Sequence, residues 1–165
     1  MSLAGFAVQF EDVYIVRRFA AGTWHRYDYA GEWTTATSGG SIADPERGLA
    51  FRPSTRCSPQ FEVGAPPGVK ARMFISLQQG TAGDVSTRAG KGTYRAIGAV
   101  LLECGGGRVS AMLHRRVAQT GYSPQSSVCV MADVKNDTAR PLTLHVSPSH
   151  PGVVGTFTVT IFSSV

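Results

Sequence analysis

A chain of 165 residues with 42% hydrophobic residues is long enough for one domain with its own core and too apolar to be disordered. Its formal net charge is +5, but the basic residues are scattered and not interleaved with aromatic ones, which argues against nucleic acid as a partner. No apolar run reaches the roughly 18 residues of a membrane-spanning helix, and the first residues do not resemble a signal peptide. We therefore expect a cytoplasmic protein.

The chain is predicted to fold into short strands separated by turns. Nineteen glycines and nine prolines favour turns, and no long amphipathic helix is evident. The segments with strand-like patterns, in chain order, are 13–16, 71–77, 97–104, 109–114, 127–134, 142–146 and 155–162.

Two of these segments carry the clearest burial patterns. Residues 97–104 are almost all apolar, which predicts a central strand buried on both faces. Residues 155–162 alternate strictly between apolar and threonine side chains, which predicts one face on a core and one in water. Seven or eight such strands predict a single all-β domain over residues 1–165, with its core at about 13–163. An antiparallel β-sandwich is expected, with a jelly roll or a barrel as the alternative.

The three cysteines are widely spaced, which fits reduced thiols better than a disulfide framework. Cys104 and Cys129 lie in apolar runs and are expected to be buried. Cys57, His114 and Asn136 follow the order of a papain-like triad, but the first two are too close in sequence and no tryptophan follows the cysteine. We therefore expect the chain not to be an enzyme by itself.

Metal and phosphate motifs are sparse. The histidines show no i, i+4 pair and no C-x-x-C occurs, so zinc is not expected. Asp133 and Asp137 can share a loop and form the one candidate for a weak calcium site. The sequence around Lys91 lacks the spacing of a Walker A motif. No other cofactor is predicted.

The stretch "YDYAGEWTTATSGG", residues 27–40, combines aromatic side chains with glycines. Trp24, Tyr27, Tyr29 and Trp33 can bury large areas, and the glycines allow positive φ and close backbone approach. We predict a corner of the chain whose aromatic side chains plug the sandwich.

Several short motifs, taken in order, resemble the C2-like domain of calpains, also called calpain domain III. The resemblance runs from about residue 13 to residue 163. In the first half its carriers are Trp24, the G-E-W ending at Trp33, the S-G-G of Gly39 and Gly40, and the S-P-Q-F of Gln60 and Phe61. In the second half they are the segments 94–98, 126–128 and 142–147, and G-T-F-T-V-T-I-F-S at 155–163.

The resemblance implies an eight-stranded antiparallel sandwich that is accessory to a cysteine protease whose catalytic core is not in this chain. Trp24, Trp33, Gly39, Gly40, Gln60 and Phe61 would then be structural determinants of the fold. The implied partner is the calpain-type protease core or another protein. Where conventional calpains carry a long acidic loop, residues 62–70 hold one acid, so a weak calcium response or none is expected. Ser58 replaces the family's asparagine.

Two alternatives stay open. In the first, the domain binds acidic phospholipids without calcium and is peripheral at a membrane, because each basic residue near an anionic surface contributes about 1 kcal/mol. Its contacts would be Arg88, Lys91, Arg95, Arg115 and Arg116. In the second, the chain is an enzyme in which Cys57 or Cys129 lies within hydrogen-bond reach of a histidine.

Overall fold

The computed structural model describes residues 17–42, 53–80, 94–109, 115–135 and 140–165. No helix in these residues is long and apolar enough to cross a membrane. They contain eight strands and a short 3₁₀ helix, Pro53–Cys57. The strands are β1 (His25–Trp33), β2 (Gln60–Val63), β3 (Lys70–Gln79), β4 (Ile97–Glu103), β5 (Arg115–Gln119), β6 (Ser127–Lys135), β7 (Leu142–Pro148) and β8 (Gly155–Ser163).

Most of the predicted strands are confirmed. The segments 71–77, 97–104, 127–134, 142–146 and 155–162 correspond to β3, β4, β6, β7 and β8. The predicted segment 13–16 lies outside the described residues, as does 109–114 except for its first residue, which belongs to no strand. The fifth strand begins at Arg115.

The strands form two four-stranded antiparallel sheets. The first sheet has the order β1-β8-β3-β6 and the second the order β2-β7-β4-β5. Four ladders join β1 to β8, β2 to β7, β3 to β6 and β4 to β5, as in one long hairpin, and the ladders of β3 with β8 and of β4 with β7 roll that hairpin into two layers. This is a jelly-roll arrangement. The expected all-β antiparallel sandwich is confirmed, and its connectivity is that of the jelly-roll alternative.

The core lies between the two sheets and follows from strand periodicity. In β3 the buried side chains are Met73, Ile75 and Leu77, whereas Phe74 between them is half-buried on the other face. Phe157, Val159 and Ile161 of β8 pack into the same core. β4 is buried on both faces because its outward valine and leucine pack in a second cluster, which comprises Val100, Leu102 and Val109 with Ile42 and Cys104 against it.

The outer face of the second sheet is also buried, and along β7 it is polar. The Thr143 hydroxyl donates to a backbone carbonyl in the turn after β4, with the two oxygens 2.8 Å apart. His145 Nε2 lies 3.2 Å from the carbonyl oxygen of Thr55 in the 3₁₀ helix. The Tyr122 hydroxyl lies 2.8 Å from Ser147 Oγ. Loops thus cover this sheet through hydrogen bonds, as buried polar groups require.

The prediction that the aromatic stretch at residues 27–40 forms a corner is wrong. Residues 25–33 make a nine-residue edge strand of the first sheet. Only Trp33 is buried in the core, at 1% exposure, whereas Tyr27 is 48% and Tyr29 37% exposed. Trp24 is half-buried and contacts Phe19 ring to ring. An edge strand has no neighbour on one side, so its aromatic side chains stay accessible even where they point toward the core layer.

The expected burial of two cysteines is also wrong. Cys129 is exposed because it takes an outward position on β6, between the inward-facing Val128 and Val130. Cys104 is half-buried at the end of β4. All three cysteines are free thiols.

Candidate functional site

The motif residues of the first half of the chain meet around the end of β1. The Trp33 ring stacks on Phe157 with 4.7 Å between ring centroids, and its Nε1 donates to the Val146 carbonyl oxygen at 3.4 Å. Phe61 lies between Phe157, at 6.3 Å, and Tyr29, at 5.2 Å. A row of contacting aromatic rings therefore runs from the core to the exposed edge of β1.

The glycine pair and the S-P-Q-F turn are joined by hydrogen bonds. The backbone N–H of Gly39 donates to Ser58 Oγ at 3.1 Å, and both residues are buried. Gly40 has a φ of +83° and packs against Pro151, so a side chain would be strained there. The Gln60 Oε1 accepts from the backbone N–H of Val109 at 2.8 Å. These contacts are structural.

The described members of the predicted basic surface each make a local contact, although the side-chain Nε of Arg95 is buried without a hydrogen-bond partner among the residues that the structure describes. Arg95 is half-buried, and its backbone N–H donates to the Gln79 side-chain oxygen at 3.2 Å. Arg115 forms an ion pair with Glu103 at 3.1 Å. Arg116 donates to the side-chain oxygen of Gln119 at 2.8 Å.

These arginines do not lie together. Arg95 precedes Ile97, the first residue of β4, whereas Arg115 pairs in register with Glu103, the last residue of that strand. Six residues of strand separate the two ends of β4 by about 20 Å. Arg88 and Lys91 lie outside the described residues.

The candidate calcium ligand Asp133 already has a cation. Its two carboxylate oxygens accept from the Arg72 guanidinium at 2.7 and 3.1 Å across the β3–β6 ladder. The hydrogen bond from Arg72 holds the pKa of Asp133 below its ordinary value. Asp137 lies outside the described residues. Among the residues that the structure does describe, no group of three or more His, Cys, Asp or Glu side chains could hold a metal ion. Calcium binding through Asp133 would have to compete with Arg72.

A cleft of about 620 Å³ opens at one end of the sandwich, and we call it the end cleft. Its volume falls within the roughly 300–1,000 Å³ of small-molecule sites. It lies where β2 and β4 end, β5 and β7 begin and β6 ends. It is lined by the apolar Val63, Ala65, Val117, Val134, Pro141 and Leu142 together with Glu103, Cys104, Gly105, Arg115, Asp133, Lys135 and Arg140.

The end cleft joins residues that sequence reasoning treated separately. Arg115 was predicted as a phospholipid or partner contact and Asp133 as a candidate for a weak calcium site, and both line this cleft. Lys135 and Arg140 were missed. The sequence does carry one signal for them: Lys135 is the last residue of β6, and Arg140 lies just before β7 begins. Antiparallel pairing brings the end of one strand close to the beginning of another.

The thiols offer little support for nucleophilic chemistry. Burial raises the pKa of the Cys104 thiol, which keeps it protonated near neutral pH. Cys57 and Cys129 are exposed and belong to the 3₁₀ helix and to β6, and within the described segments neither thiol is hydrogen-bonded to a histidine. The enzyme hypothesis stays a prediction without a described site.

Comparison with known proteins adds no relative. No known family matches the chain, and no curated protein matches it significantly. The resemblance to the calpain C2-like domain rests on the sequence motifs alone.

Proposed function

We propose that this domain is a non-catalytic regulatory or scaffolding module that docks onto a protein partner, namely the protease core of a calpain-type cysteine protease. Two considerations support the proposal. The motifs that resemble the calpain domain include Trp33, Gly39 and Phe61, whose side chains or backbone join the core and its covering loops. The second consideration is that the edge of β1 is an accessible surface suited to a protein partner.

The edge of β1 combines two features of docking surfaces. As an edge strand of nine residues, it presents backbone N–H and C=O groups that no described strand pairs. Its two tyrosines, Tyr27 and Tyr29, are among the three exposed large hydrophobic side chains of the described residues. Tyrosine is enriched in protein interfaces because it buries a large ring and keeps a polar tip. These exposed tyrosines on an open edge are the observation that carries the proposal.

The rest of β1 suits a partner that approaches from the side. On the outer face of the sheet, Arg26 and Asp28 form an ion pair at 2.8 Å, and Thr160 donates to the same carboxylate at 2.7 Å. These charges are satisfied and need not be desolvated when a partner covers the edge. The row of aromatic rings behind Tyr29 supports this edge, since the Tyr29 ring packs on Phe61.

The test is binding of this chain to a purified calpain-type protease core that lacks its own β-sandwich, supplied in trans and measured by calorimetry. The variant Tyr27→Ser should weaken binding about tenfold, as for a tyrosine at the centre of an interface. Tyr27 is the better target because no described ring stacks on it. Met131→Ser is a matched control, because this side chain is 45% exposed on β6, at the opposite edge of the sheet.

Failure of the wild-type chain to bind the core would contradict the proposal. So would equal loss of binding in the Tyr27 and Met131 variants, because that would place the contact away from β1. Thermal unfolding of both variants should match the wild type, which separates loss of a contact from loss of the fold.

The phospholipid alternative has one supporting observation. Arg115, a predicted contact, shares the end cleft with Lys135 and Arg140, so basic side chains converge at this end of the sandwich. Cosedimentation with acidic liposomes across a salt series, with and without calcium, tests it. Binding that weakens with salt and ignores calcium supports a basic surface, whereas no pelleting at low salt contradicts it.

A further inference from the structure

The end cleft has more positive than negative charge, and its carboxylates are already engaged. Three cationic side chains and two carboxylates line it. Glu103 is held by Arg115 at 3.1 Å, and Asp133 is held by Arg72 at 2.7 Å. Since Arg72 is not itself a lining residue, it cancels one of the two negative charges from outside. The lining groups therefore leave a field that favours an anion.

Arg140 is the cation with the most freedom to bind a ligand. Within the described part of the chain, neither an ion pair nor a hydrogen bond engages its guanidinium. Its aliphatic stem packs over the turn after β4, where a Cβ on Gly105 would lie 3.6 Å from Arg140 Cδ. Gly105 and Gly106 both have positive φ, of 65° and 75°, as the two central residues of a tight turn. The turn thus positions the stem and leaves the head of Arg140 available.

A second observation points the same way. On the outer face beside the cleft, Lys70 of β3 lies directly opposite Lys135 of β6 in the ladder. Like charges directly opposite on neighbouring strands are destabilising. The Asp133 carboxylate attracts Lys70 and offsets part of this repulsion, and an anion at the mouth of the cleft would offset more of it.

We propose that the end cleft binds the phosphate group of a phosphate ester, with Arg140, Arg115 and Lys135 as its donors. Arginine forks match phosphate oxygens in paired hydrogen bonds, and lysine adds a point charge. A phosphate ester carries up to two negative charges and several acceptor oxygens. It can therefore accept hydrogen bonds from side chains on three segments, namely β5, β6 and the segment before β7. A single carboxylate has fewer oxygens for three converging groups. The inference does not depend on docking at β1, and it rests on the phospholipid alternative only if the ester is a lipid headgroup.

The experiment is a calorimetric titration of the chain with inositol trisphosphate, with citrate as a carboxylate polyanion for comparison. The trisphosphate should bind more tightly than citrate, and its affinity should fall as salt rises. Arg140→Gln should weaken trisphosphate binding by about tenfold or more, since it removes a charge-assisted hydrogen-bond donor.

Arg26→Gln is the matched control. It removes the same charge from an exposed arginine on β1, three strand positions from β6 in the same sheet. That is about 14 Å, beyond a Debye length of about 8 Å at physiological salt. Its effect should stay within about twofold, whereas a purely general attraction to the basic chain would weaken both variants alike.

A second arm identifies the source of the phosphate. Phosphatidylcholine vesicles with and without phosphatidylinositol bisphosphate are tested by cosedimentation with the same variants. Binding to the free trisphosphate alone assigns a soluble ester, and vesicle binding that Arg140→Gln abolishes assigns a lipid headgroup; either supports the site.

Several results would overturn the proposal. These are binding of neither probe, citrate binding as tight as trisphosphate binding, or equal losses in the Arg140 and Arg26 variants. Docking to the protease core is measured separately with Tyr27→Ser, so failure of one proposal leaves the other open to its own test.

Discussion

Acid should destabilise this domain through one buried histidine. His145 is completely buried on the outer face of β7, between Gln60 of β2 and Val100 of β4. Because the carbonyl oxygen of Thr55 can only accept, His145 Nε2 carries the proton in this contact. Its Nδ1 is buried without a hydrogen-bond partner in the described structure. Protonation of Nδ1 would place an uncompensated charge beneath the covering loops.

The expected magnitude follows from the pKa shift. Burial lowers the pKa of His145 from 6.5 to about 4 in the folded state. Above pH 6.5 the ring is neutral in both states, and the stabilisation is fully present. As pH falls below about 6.5, His145 binds a proton in the unfolded chain but not in the folded one. Stability is therefore lost until the folded ring also binds a proton near pH 4. Between pH 8 and pH 5 the loss should be about 2 kcal/mol.

Urea unfolding at a series of pH values from 8 to 5 measures this loss. The variant His145→Gln should flatten the pH dependence, because an amide can still donate to the Thr55 carbonyl but does not titrate. The substitution also changes packing around the ring, so the readout is the slope of unfolding free energy against pH and not the absolute stability. A His145→Gln slope equal to that of the wild type would refute the reasoning.

Two further substitutions test the packing of the motif residues. Gly31→Ala should cost about 1–3 kcal/mol in urea unfolding, because the new Cβ would lie 2.6 Å from Phe157 Cζ in the core; unchanged stability would mean that the ring moves freely. Ser58→Ala should cost about 1–3 kcal/mol, because it leaves the buried N–H of Gly39 without its acceptor. The half-buried Ser76 on the outer face of β3 is the control, and equal losses in Ser58→Ala and Ser76→Ala would contradict this role for the Ser58 hydroxyl.

The fold class can be predicted from local sequence patterns, because side-chain periodicity is local. Strict alternation around Val159 and a wholly apolar run around Leu101 each specify which faces of a strand are buried, and both patterns are present in β8 and β4 as expected. Turns rich in glycine then leave few ways to arrange eight short strands other than as packed sheets.

The first strand was not predicted because its burial is decided by its place in the sheet. β1 lies at an edge, so Tyr27 stays exposed and only Trp33, at its end, enters the core. Without a buried face there is no alternation to detect. Only the structure explains why residue 31 is a glycine: Phe157, more than a hundred residues later in the sequence, packs against it.

The end cleft was beyond sequence reasoning for the same reason. Arg115, Lys135 and Arg140 belong to β5, β6 and the segment before β7, and local pattern places them near strand ends without indicating which strand ends share a cleft. Arg95 seemed equivalent to Arg115 in the sequence, yet the length of β4 separates them. Local chemistry sets which residues can bind an anion, but the closure of the jelly roll sets which strand ends meet, because antiparallel pairing fixes the end of the sandwich at which each strand begins and ends.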